Sequence, residues 1–142
     1  MNDTVSQKTQ NKKAEELHFE TQQWKSKLHF MHDEVIFIDQ LLTSHVFEPN
    51  TLNLFERLQD YQHRLQKEKI NMIGIEKGIT KHQADLGGML ECTHESCDLE
   101  YYQKHDNLKA EVINCLEKFR VLKSEIFNYA GGILKKRKPT KE

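Results

Sequence analysis

Residues 91–97 read ECTHESC, which places Cys92, His94 and Cys97 within six positions and sets Glu91 and Glu95 among them. Thiolates and imidazoles together favour zinc, and imidazole also suits copper, iron and nickel. The spacing Cys-x-His-x-x-Cys nevertheless lacks the close Cys-x-x-Cys pair of structural zinc sites. The stretch therefore reads first as a turn that contains thiols, with Cys92, His94 and Cys97 as a candidate metal cluster behind it. The other residues suited to ligation are Glu15, His18, His82 and His105. His82 and His105 fall on apolar seams, and Glu15 lies three residues before His18, on the same helix face. If neighbouring helices fold back on one another, His18, His82 and His105 share one layer near this turn. A bundle can bind zinc or another transition metal with such side chains. Without a metal, the two seam histidines satisfy each other or a nearby carboxylate.

Two further polar residues stand on the seams. Glu68 has His32, Arg120 or Lys123 within expected reach, and Cys115 reads as a small core residue. No second catalytic group is expected at the height of Glu68, so an enzyme is not the favoured reading and no cofactor is required.

The elements that position these residues follow from hydrophobic spacing. Leu17, Trp24, Met31 and Ile38 recur every seventh residue, interleaved by Leu28, Val35 and Leu42. Leu54, Leu58, Tyr61 and Leu65 open a second such series, and Tyr101, His105, Leu108, Val112, Cys115 and Phe119 a third. This alternating three–four spacing marks helix faces that pack on other helices. It predicts an all-α fold, an elongated up-down-up antiparallel three-helix bundle, left-handed and spectrin-like in gross form. Helices are expected over about 14–46, 51–86 and 98–134. Pro49 breaks the first connection, Asn50 or Thr51 caps the second helix, and Gly87-Gly88 ends it. Gly74 and Gly78 either make room for Trp24 or mark a kink. Residues 1–13 form a polar arm expected to be mobile, and 135–142 a basic tail.

Composition limits the rest. The net charge of −1 provides no general field for nucleic acid. The tail KKRKPTKE concentrates five bases and one acid, so a nucleic-acid partner is expected only through Lys135, Lys136, Arg137 and Lys138. No apolar run approaches the ~20 residues of a membrane span. Three cysteines are too few for a disulfide scaffold, which suggests a cytoplasmic protein. Phe30, Phe37 and Leu41 add an apolar stripe to the first helix, and Ile70 and Ile73 add apolar residues to the second. These are the expected interaction surface, for self-association or a helical partner, in a non-catalytic bundle. The alternative is a metal-binding bundle for storage, sensing or redox work.

Overall fold

The computed structural model describes residues 2–92 and 95–135, with side chains for 13–92 and 96–135. It contains three helices, α1 (Asn2–Leu42), α2 (Leu54–Glu91) and α3 (Glu95–Gly132). They form a three-helix bundle in which each helix packs on both others. Cross-helix bonds give the directions. Glu20 meets Lys109 and Glu34 meets Lys123, so α1 and α3 rise together. Arg64 meets Glu125 and His82 meets His105, so α2 runs against α3.

The predicted seam residues fill the interior. One cluster takes Trp24, Leu28, Met31, Val35, Ile38 and Leu42 from α1, and Tyr61, Leu65, Met72, Ile75 and Ile79 from α2. From α3 it takes Leu108, Val112, Cys115, Phe119, Leu122 and Ile126. A smaller cluster of Leu17, Met89 and Tyr101 closes the end where α2 turns into α3. His82 and His105 are buried close to both.

The helix ends differ from expectation, each for a local reason. Residues 2–13, expected as a separate arm, continue α1. They hold neither proline nor glycine, and adding residues to an existing helix costs far less than starting one. At its other end α1 stops at Leu42, short of residue 46. There the hydroxyls of Thr43 and Ser44 donate to the carbonyls of Asp39, Gln40 and Leu41.

Neither Asn50 nor Thr51 caps α2. Thr51 Oγ1 instead donates to the Glu48 carbonyl, at 2.6 Å. The capping position falls to Asn53, in the left-handed region with φ 55°, a conformation asparagine tolerates better than most residues. Gly87-Gly88 does not end α2, which runs on to Glu91. Met89 is buried in the end cluster, and that anchor outweighs the roughly 1 kcal/mol per glycine against helix.

The first connection is clamped to the far end of α3. Phe47 is buried and forms an antiparallel bridge with Leu134. The Glu48 amide donates to the Ile133 carbonyl at 2.7 Å, and the Lys135 amide donates to the Val46 carbonyl at 2.8 Å.

Candidate functional site

The polar centre of the bundle is a chain of three side chains, one from each helix. His105, only 2% exposed, has its Nε2 2.6 Å from Oε1 of Glu20 and its Nδ1 2.9 Å from Nε2 of His82. The Glu20 carboxylate can only accept, so Nε2 of His105 donates to it. In the tautomer that donates only from Nε2, His105 accepts at Nδ1 from Nε2 of His82. Lys109 Nζ donates to the other Glu20 oxygen at 3.1 Å.

Aromatic rings enclose the pair. Tyr101 stacks on His82 with centroids 4.1 Å apart, and Trp24 lies against His105 at 4.6 Å. Tyr101 Oη donates to the His82 backbone carbonyl at 3.0 Å. Beside this layer Gln83 Nε2 donates to Thr21 Oγ1, while Lys25 Nζ donates to Gln83 Oε1.

The electrostatics follow from this enclosure. Burial pushes His82 down to about 4, helped by the adjacent His105 and by Lys104 and opposed by Asp85. The hydrogen bond from His105 holds Glu20 below the usual carboxylate range; burial opposes this and Lys109 adds to it. At neutral pH His82 is therefore uncharged and Glu20 is ionised.

The sequence placed His82 and His105 at one level, and the structure brings them into direct contact. It does not bring Glu15 or His18 to them. Both are exposed, and Glu20 stands in their place, two residues beyond His18 and five beyond Glu15 along α1. The eleven-residue connection 43–53 leaves the register of α1 against its neighbours open, where a tight fold about Pro49 would fix it. A usable signal for Glu20 lay in its position between Leu17 and Trp24, on the edge of the core face.

For metal binding, the nitrogens of His82 and His105 that face one another are bonded to each other rather than directed at a common centre. Among the described residues, no three His, Cys, Asp or Glu side chains form a grouping that could hold a metal ion. Cys92 and Cys97 are joined as a disulfide, with their Cα atoms 6.3 Å apart. The two thiols expected as part of a turn or as metal ligands are thus paired with each other. The turn instead brings the C-cap of α2 beside the first turn of α3. His94 lies outside the described residues, as do Lys136, Arg137 and Lys138 of the tail, whereas Lys135 is exposed.

Gly74 and Gly78 do not make room for Trp24, and they do not break α2. Trp24 packs on His105, and α2 is continuous through both glycines. A methyl group at Gly74 would meet nothing within 4 Å, and at Gly78 only Leu108 Cδ1, at 3.5 Å. Glu68 does not find the partners proposed for it. Arg120 bonds Glu117, Lys123 bonds Glu34, and Glu68 Oε2 is buried without a hydrogen bond. It borders a cleft of about 620 Å³ between α2 and α3. Cys115 is buried against Met31, as a core residue should be, and burial pushes its thiol up to about 11.

On the outside of α1, Phe30 and Phe37 are 64% and 59% exposed, and Phe19, which the sequence reading missed, is 63% exposed. Phe19 lies eleven residues before Phe30, three helical turns, and that spacing was visible in the sequence. At about 100° per residue the three fall within about 20° of one another around the axis, more than 100° from the centre of the core face. Leu41, half-buried, continues the stripe. These residues lie on the flank of Glu34, which reaches α3, whereas Lys25 on the opposite flank reaches α2. Ile70 borders the cleft between α2 and α3 and so does not extend the α1 stripe, and Ile73 is 36% exposed.

The chain matches no protein-family model, no curated protein and no solved structure, so a functional reading rests on its own geometry.

Proposed function

We propose that this protein is a non-catalytic bundle that works by association, through the outer face of α1. The observation behind the reading is that α1 is apolar on two faces. Its inner face fills the core, and its outer face carries Phe19, Phe30 and Phe37 in solvent. Fully burying one such side chain contributes about 1.5–3 kcal/mol, so a partner that covers all three gains appreciably from this face. A second copy of the chain is the first partner to test, and an amphipathic helix of another protein the second.

The test is the molar mass in solution of the wild type and of the double variant Phe30→Glu, Phe37→Glu. The expected result is a wild-type dimer or larger assembly and a folded monomeric variant. A wild type that is monomeric at high concentration, and captures no partner that the variant fails to capture, would refute the reading.

The metal-binding alternative requires the His82–His105 hydrogen bond to open. Zinc or another transition metal that co-purifies with wild type, and is absent after His82 and His105 are both replaced by alanine, would favour it instead.

A further inference from the structure

We propose that Cys92–Cys97 is a thiol–disulfide exchange site, reached by a small peptidyl thiol of the glutathione class through the cleft beside Tyr101. This inference stands independently of the association reading. Both cysteines border a cleft of about 440 Å³ at the α2–α3 end, together with Met89, Tyr101, Lys81 and Lys104. Clefts of roughly 300–1,000 Å³ accept small molecules. Lys81 supplies positive charge for the carboxylates of an anionic peptidyl thiol and Asp85 suits its ammonium group, while Lys104 and Glu100, on the same rim, pair with each other at 3.3 Å. Both cysteines are only partly buried, so the bond is open to attack.

The exchange proceeds in two displacements. An incoming thiolate RS⁻ attacks the Cys92 sulfur and forms Cys92–S–S–R, and the Cys97 thiolate departs. That thiolate leaves in the first turn of α3, where the helix dipole stabilises negative charge. A second RS⁻ then attacks the R-side sulfur, releasing the Cys92 thiolate and RS–SR. Each protein thiolate takes up the proton lost by one incoming thiol. Two thiols are thus oxidised to one disulfide as the protein disulfide is reduced to two thiols, and oxidised RS–SR drives the reverse.

The consequence lies one layer inward. Cys92 follows Met89 by three residues and Tyr101 follows Cys97 by four, and both Met89 and Tyr101 are in the end cluster. Tyr101 in turn stacks on His82. The closed disulfide holds this end of the bundle together, and reduction releases it.

The experiment equilibrates full-length protein anaerobically in buffers of defined reduced-to-oxidised glutathione ratio. Cys92 and Cys97 are quantified by alkylation and mass spectrometry, and amide hydrogen exchange is read for each form. Expected is reversible interconversion across the glutathione range, without labelling of buried Cys115 in the folded protein. Exchange protection near Met89 and Tyr101 should fall in the dithiol form and remain around Met72, Ile79 and Val112. Cys92→Ser should reproduce the dithiol pattern. A bond that persists in excess reduced glutathione, thiols that never pair in oxidised glutathione, or identical exchange in both forms would each overturn the proposal.

Discussion

Glu20, His105 and His82 come from three different helices, and each supplies what its neighbour lacks. The carboxylate gives His105 an anionic acceptor, and His105 gives His82 an acceptor in a place with little water. The cost is sensitivity to acid. His82 is held near 4 in the folded protein, against about 6.5 when unfolded. Its neutral form is the native one, so its contribution is complete above pH 6.5 and is lost as pH falls toward 4. That amounts to at most about 3 kcal/mol. Glu20, also lowered, adds to the loss as it protonates at still lower pH. Denaturant midpoints followed by the fluorescence of the sole tryptophan, Trp24, should fall between pH 7 and pH 4.5, and His82→Phe should flatten that part of the profile. Glu20→Gln should cost about 1–2 kcal/mol by weakening a charged hydrogen bond to a buried ring. Lys109→Gln, which breaks only an exposed ion pair, should cost under about 1 kcal/mol.

Helix propensity and packing disagree at several positions in these long helices, and packing prevails. Gly87 and Gly88 remain helical because Met89 beyond them is buried. Gly74 has no such explanation: it is in the middle of α2, and a side chain there would meet no neighbour. Gly74→Ala should therefore raise stability by up to about 1 kcal/mol, seen as a higher denaturant midpoint with an unchanged slope. A loss of stability would mean that something other than helix entropy requires glycine there. α1 presents the opposite case. Its core face and its phenylalanine stripe both follow helical periodicity, so periodicity alone does not distinguish the inner face from the outer. The difference appears in number, since the inner face carries an apolar residue every three or four positions and the outer face only three widely spaced phenylalanines.

At the scale of the molecule, the bundle is closed differently at its two ends. One end has the Cys92–Cys97 disulfide and the Leu17–Met89–Tyr101 cluster. The other has Phe47 and the short antiparallel bridge that ties the first connection to the end of α3. Phe47→Ala should cost about 3 kcal/mol and accelerate hydrogen exchange at the Glu48 and Lys135 amides, leaving those around Met72 protected. Uniformly faster exchange would indicate that this clamp supports the whole fold rather than one end.

The three helices, their seams and the meeting of His82 with His105 were legible in the sequence, because helical periodicity is local and the α2–α3 turn is short. A short turn leaves little freedom in how two helices slide past each other, so residues at equal distances from it meet. The longer connection 43–53 leaves α1 free to slide, and its register is set by which side chains interlock. That choice brought Glu20 to His105 in place of Glu15 and His18, and moved Trp24 from the glycines of α2 onto an imidazole. The cysteine pair was decided in the same way. Spacing gives only the separation along the chain, whereas bonding depends on how the end of α2 turns into α3. A sequence records each helix's own pattern of faces, but the relative position of helices joined by a long connection is a property of packing.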